Sequence, residues 1–265
     1  MSLAILGASL MFFACESNKG SEEKQSLTTD SLAVEKVDTP VDIKTERTVS
    51  FLENAPVIDG VAEEAWESLE WFPINNNWLG KEITAKDFNG KFKLAWNESK
   101  LFLLVEVEDD SLIDQYAAWD SLWWNDDCVE IFIDEDYSKG NHQFNHNAFA
   151  YHVGLNYDVV DLGPDSLPHL YNEHIEAKHV RKGKISTWEF AISIYNDTYV
   201  DGKTDNVIEV LKDGKELGFM LAYCDNDTSA TRENFVGSEF VKGEEKDRDR
   251  GWIDAGEFGK LTLKK

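Results

Sequence analysis

From Thr48 to the end of the chain, apolar residues recur at every second position in short runs separated by turn-forming residues. That period fits strands and rules out long amphipathic helices. Phe92, Leu94 and Trp96 alternate with Lys91, Lys93 and Ala95; Asn97-Glu-Ser-Lys100 makes a turn, and LFLLVEVE (101–108) follows, so a hairpin is expected. In the next run, Val129, Ile131 and Ile133 share one face and Cys128, Glu130, Phe132 and Asp134 the other. Further strands are predicted at 148–153, 174–180, 185–194, 217–223 and 260–263. One helical stretch stands out, beginning at Asp59-Gly60, with Ala62, Ala65, Trp66 and Leu69 at i, i+3, i+4 and i+7. The fold class expected is all-β, an antiparallel β-sandwich of jelly-roll type with one short N-terminal helix, occupying residues 46–265 without internal repeat or second linker.

Charge narrows the ligands. The chain of 265 residues has 51 acidic and 26 basic side chains, a net charge of −25. Its field repels nucleic acid and anionic headgroups, which leaves neutral or cationic ligands. With 42% hydrophobic and 12% aromatic residues the chain has enough apolar surface to fold. The three cysteines, Cys15, Cys128 and Cys224, show no C-x-x-C spacing, so spacing indicates neither a disulfide framework nor a structural zinc site. Cys128 and Cys224, inside predicted strands, read as small buried apolar side chains. The six histidines show no H-E-x-x-H or H-x-H pair and read as scattered surface or turn residues.

The first 45 residues carry a different signal. An apolar run over residues 3–14 ends abruptly at Cys15, and a polar stretch follows. A dozen residues are too few for a bilayer span, which takes about 20, and suit the core of a secretory signal. The pattern resembles a bacterial lipoprotein signal over residues 1–15, with cleavage after Ala14 and lipid attached to Cys15. No Lys or Arg precedes the core and Phe12 stands where Leu is usual, both departures from that pattern; the alternative is a buried helix with an ordinary cysteine. Residues 16–45, rich in Ser, Thr, Glu, Lys and Asp, read as a flexible tether. The expected location is the cell envelope or outer-membrane surface of a Gram-negative bacterium, lipid-anchored.

The motifs of the body carry a resemblance. VIDGVAEEAW (57–66), KLAWN (93–97) with LFLLVEVED (101–109), and WNDDCVEIFID (124–134) resemble carbohydrate-binding module family 9. So do Gln143-Phe144 with Asn147, STWE (186–189), GFMLAYCD (218–225), and Trp252 with FGKLTL (258–263), all in family order from about residue 50 onward. The resemblance implies a β-sandwich that binds oligo- or polysaccharide without cleaving it, with no cofactor beyond a structural calcium ion. It further implies a clamp of two tryptophans, Trp124 and Trp252, with Glu130, Gln143 and Asn147 bonding to hydroxyls. Asn145 stands where the family's best-known pattern has arginine, a loss of five donors that would alter hydroxyl recognition. Arg232 falls where the family can place an arginine.

These residue types suit a pyranose, which has apolar faces of C–H bonds and a rim of hydroxyls. One indole plate removing on the order of 100 Å² of apolar surface from water contributes roughly 2 to 3 kcal/mol. Trp66, Trp96 and Trp188 lie in apolar-periodic stretches and are assigned to the core; Trp119, Trp123 and Trp124 lie in a polar, loop-like segment, where at least one of Trp123 and Trp124 is expected to be exposed. Asp126, Asp127, Asp134, Glu135 and Asp136 flank one strand and could cage calcium through oxygen. Three rival functions remain at this point. One is a glycosidase with paired carboxylates, although Glu130 and Asp134 on one strand would stand about 13 Å apart. Another is a haem-binding sandwich with Met220 and His146 or His152 on iron. The last is a structural domain that binds nothing small.

Overall fold

The structure, a computed structural model, describes residues 44–116 and 118–265. The signal, Cys15 and nearly all of the tether therefore lie outside the described residues. Fourteen strands follow in order: β1 (Glu46–Phe51), β2 (Phe72–Ile74), β3 (Asn76–Gly80), β4 (Phe88–Trp96), β5 (Leu101–Asp109), β6 (Cys128–Asp134) and β7 (Phe149–Gly154). The remainder are β8 (Val159–Leu162), β9 (Pro168–Leu170), β10 (Ile175–Lys182), β11 (Ile185–Ile192), β12 (Glu216–Asp225), β13 (Asn234–Gly237) and β14 (Gly259–Lys264).

One layer runs β10-β11-β5-β4 and the other β14-β12-β6-β7-β8-β9. Strand β1 joins them, pairing with β14 along Glu46–Ser50 and with β4 at Ser50 and Phe51. Both of its pairings are parallel, so a strand shared by two layers supplies the one departure from the antiparallel pattern.

Alternation decides what lies between the layers. Phe92, Leu94, Leu103, Val105, Trp188 and Phe190 from the first layer meet Val129, Ile131, Ile133, Phe219, Leu221 and Tyr223 from the second in one buried cluster. The opposite faces of β6 and β12 hold Cys128, Phe132, Met220, Ala222 and Cys224, in a smaller cluster roofed by Phe235, Phe258 and Ala255. Met220 is fully buried there and its methyl group lies against Gly251, the position of a core side chain. Trp66, Trp96 and Trp188 are each at most 1% exposed, as expected of core residues.

The stretch predicted as a helix forms only a 3-10 turn, Glu64–Trp66, and the described residues hold one four-residue α-helix elsewhere, Glu245–Arg248. Tertiary bonds claim the groups a longer helix would use. Glu189, fully buried on β11, accepts from the backbone N–H of Asp59 and Gly60 and from Trp66 Nε1, at 3.1, 2.9 and 2.9 Å. Lys93 Nζ donates to the Trp66 carbonyl at 2.6 Å. Ala62 is left exposed.

Replacing Glu189 with Ala strands three donors, two of them backbone. We expect a loss of about 3 kcal/mol or more, a fall of about 6–12 °C in Tm for a domain of this size. Thermal melts of the purified variant read this directly, and a shift below 2 °C would refute the assigned role.

Candidate carbohydrate site

The second layer carries a cavity of about 520 Å³ on its outer face. Its floor is made where β12, β6 and β7 lie side by side. Glu130, at the centre of β6, is register-paired with Ala222 on β12 and with His152 on β7. Small neighbours keep the space open: Ala150, two positions from His152 on the same strand face, lines the floor with it. Asp161 of β8 and Pro168 of β9 lie in one wall, and Trp123, Trp124, Trp252, Arg232 and Asp249 are among the residues of the others.

Unusual backbone sets the walls. Leu122 takes a left-handed conformation (φ 58°, ψ 21°) at the head of a 3-10 turn, Trp123–Asn125, which presents two consecutive indoles to the cavity. Trp123 is half-buried and Trp124 is 36% exposed, with ring centroids 4.8 Å apart and planes at 83°. The segment is a turn, as its loop-like composition suggests, and the two rings meet edge to face. Phe144 (φ 59°) and Ser166 (φ 65°) are also left-handed. Each such residue costs of order 1 kcal/mol or more, a cost typically retained at binding sites.

Trp252 is held by a second device. Gly251 lies so close to the core that a Cβ there would stand 2.5 Å from Met220 Cε and 2.6 Å from Phe132 Cε1. Its carbonyl meets His142 Nε2 at 2.7 Å, and Ile253 O accepts from His142 N at 2.9 Å. The Trp252 ring is half-buried, packs on the small core cluster, and lies 6.4 Å from the ring of Phe144.

Electrostatics centre on Glu130, which is 2% exposed. Burial pushes its carboxyl well above the usual range, the neighbouring Cys224 adds to this, and the Arg232 guanidinium opposes it. His152 Nε2 stands 3.2 Å from Glu130 Oε1, but off-line for a hydrogen bond; Nε2 and Glu130 Oε2 are both buried without a partner. Arg232 donates from Nη2 to Asp249 Oδ2 at 2.6 Å, reaches Cys224 Sγ from Nη1 at 3.3 Å, and stacks 4.1 Å over Phe235. Asp161 accepts from Ala150 N and Leu162 N at 2.8 and 2.7 Å, and burial pushes its pKa up to about 7.

Trp124, Trp252, Glu130 and Arg232, expected from the motifs, thus converge on one cavity. Gln143, Asn145 and Asn147 are not among its lining residues. Their loop is tied internally: Asn147 Nδ2 donates to Lys139 O at 2.9 Å and Asn145 Oδ1 accepts from Asn147 N at 2.9 Å. The motifs do not mark His152, Asp161, Trp123 or Asp249 as part of the site, although Trp123 stands in the loop expected to expose an indole. The alternation Ala148, Ala150, His152 carried a signal for His152, since small residues on the same strand face leave room above it for a polar one.

The acidic residues also sort differently from their order in the chain. Asp126 accepts from Gln115 N and Tyr116 N, Asp134 from Lys139 N, Asp136 from Ser138 N, and Glu135 pairs with Lys215. Asp127 instead meets Asp109 and Asp225, three buried carboxylates with oxygens within 4.8 Å of one another. Burial, with Asp109 nearby, pushes Asp127 up to about 9 and Asp225 up to about 8. Three buried carboxyls at that spacing offer oxygen ligands of the kind a hard divalent cation takes. Asp109 is also the acceptor for Ser111 N at 2.8 Å and Tyr223 Oη at 3.3 Å, so its orientation is set by the fold.

A two-layer β-sandwich with an aromatic-walled, carboxylate-floored cavity on one outer face is a binding domain for a small polar ligand with apolar faces. Comparison with known proteins makes the class specific. The family model described as "Carbohydrate family 9 binding domain-like" matches residues 58–265, and the chain belongs to this family of non-catalytic carbohydrate-binding modules. Endo-1,4-beta-xylanase A of Thermotoga neapolitana is 33% identical over 84 residues, 32% of this chain and 7% of the xylanase. The same-named enzyme of Thermoanaerobacterium saccharolyticum is 28% identical over 120 residues, 43% of this chain and 9% of the xylanase. The chain thus spans less than a tenth of the length of these curated relatives. A family 9 carbohydrate-binding module from Caldicellulosiruptor kristjanssonii, solved with cellotriose, superposes with a TM-score of 0.62 at 23% identity, covering 83% of this chain and 94% of that one. Its likeness establishes the fold.

Proposed function

We propose that this chain holds a neutral oligo- or polysaccharide in the cavity, with the Trp124 and Trp252 indoles against the faces of a sugar ring. The observation that carries the reading is the convergence of these two rings with Glu130 and Arg232 on one concave surface, from three separate stretches of sequence. Glu130 Oε2, buried and unpartnered at the floor, is the acceptor for a ring hydroxyl, and Arg232 is the donor beside it. Gln143, Asn145 and Asn147 serve a longer glycan that extends past Phe144 and Trp252. The solved relative bound to cellotriose favours glucose-based chains, and the xylanase relatives favour a hydrolase working alongside. Affinity electrophoresis through gels containing soluble β-glucan, xylan or mannan tests the reading; migration unretarded in every glycan would refute it.

The aspartates Asp109, Asp127 and Asp225 hold a structural calcium ion that ties the ends of β5 and β12 to the segment leading into β6. Through Cys15 the chain is anchored by lipid in the cell envelope, with residues 16–45 as the tether. Cys15→Ser is expected to move the protein from the membrane fraction to the soluble extract. A variant that still sediments with membranes after a carbonate wash would exclude the anchor.

A further inference from the structure

At the cavity floor, beside Glu130, lie two cysteines and a histidine to which the proposed sugar binding gives no role. Cys128 and Cys224 are register partners across β6 and β12, so their side chains lie side by side on the outer face of the layer. Cys128 Sγ, Cys224 Sγ and a His152 ring nitrogen all lie within 4.8 Å of one another, and both cysteines are free and buried. Glu130 Oε1 stands 3.2 Å from His152 Nε2, next to this group but not within 4.8 Å of all three of its atoms.

We propose that Cys128, Cys224, His152 and Glu130 bind a zinc ion that forms part of the floor of the cavity. Ligand type and spacing both favour it. With Zn–S near 2.3 Å and Zn–N or Zn–O near 2.0–2.2 Å, the edges of a tetrahedron measure about 3.3 to 3.8 Å. The His152–Glu130 separation is already such an edge; Cys128, Cys224 and His152 need to close by roughly 1 Å, and the Glu130 carboxylate has to turn towards the sulfurs. Two thiolates with an imidazole and a carboxylate suit borderline-soft Zn²⁺ better than oxygen-seeking Ca²⁺ or sulfur-seeking Cu⁺.

An unsatisfied nitrogen points the same way. His152 Nε2 is buried without a hydrogen-bond partner, on a floor otherwise enclosed by strands and indoles. A disulfide between the two cysteines would leave it as it is. A metal ion takes the imidazole nitrogen and Oε1, and keeps Glu130 ionised with Oε2 directed at the cavity. Two thiolates and one carboxylate around a divalent ion leave one negative charge, and Arg232, which also pairs with Asp249, lies against it with Nη1 3.3 Å from Cys224 Sγ as an N–H···S donor. No motif spacing announces this site, because its ligands come from three strands and meet only through register.

The test uses the full chain purified without oxygen or chelator, in excess calcium so that the aspartate cluster does not take up the probe metal. Titration with Co²⁺ is expected to give one tightly bound ion per chain with the intense visible bands of tetrahedral cobalt and a thiolate-to-cobalt charge-transfer band, and Zn²⁺ should displace it. Cys128→Ala and Cys224→Ala should abolish the charge transfer, Cys15→Ser should leave it intact, and His152→Asn should weaken zinc by more than about 100-fold. X-ray absorption at the zinc edge of the wild-type chain, which needs no variant to fold, should show two sulfur neighbours. Octahedral cobalt alone, a zinc shell without sulfur, or Cys128 and Cys224 joined in a disulfide would each overturn the proposal. Glycan retardation is a separate readout, so failure here leaves the sugar site standing.

Discussion

Trp124→Ala is expected to weaken glycan binding about 30- to 150-fold while moving the thermal melt by only a few degrees. The binding loss follows from one indole plate, roughly 2 to 3 kcal/mol of apolar contact with a sugar face. The small stability change follows from its 36% exposure and from its packing, an edge-to-face contact with Trp123 worth about 0.5–1.5 kcal/mol. Trp252→Ala should behave differently. Its ring is half-buried on the cluster that includes Phe132, Met220 and Phe258, so the variant should lose both retardation and several degrees of Tm. Affinity electrophoresis and calorimetric titration with the best-retained glycan, alongside melts, separate the two effects. Wild-type affinity in Trp124→Ala would remove the stacking model.

Calcium is expected to raise Tm by about 5–10 °C at a hundredfold excess over its Kd, and the rise should grow with pH. In cation-free protein, Asp127 and Asp225 keep their protons up to about pH 9 and about pH 8, whereas in the unfolded chain they release them at ordinary carboxylate pH. The folded state therefore binds more protons through that window, and stability must fall as pH rises through it. A divalent ion supplies the missing positive charge, adding about 2.7 kcal/mol at that excess. The contrast between EDTA and calcium should be small near pH 5 and largest near pH 8, and Asp127→Asn should abolish it. Melts that calcium leaves unmoved at both pH values would refute the site.

The hairpin at Lys91 to Glu108 and the strand Cys128–Asp134 were legible because alternation reports local geometry directly; the strand's bounds and both of its faces agree with the pattern. The predicted helix near Trp66 was not legible, because its periodicity is outweighed by Glu189 and Lys93, residues 123 and 27 positions away along the chain. Among the site residues, Trp124 and Trp252 were visible as indoles in polar, turn-rich segments. The tie between Asn147 and Lys139, which keeps that loop out of the cavity lining, depends on a loop conformation no local pattern encodes.

By itself the sequence determined the class of fold and the excess of acidic charge. Both follow from a two-residue period and from composition, which act over short range or as a sum over the chain. Only the tertiary structure decided which carboxylates meet: Asp127 joins Asp109 and Asp225 rather than its neighbours in sequence, and Glu130 lies beside His152, Cys128 and Cys224. Strand register sets those meetings, and register is fixed by packing between whole layers, since a shift of one residue would turn every side chain to the opposite face.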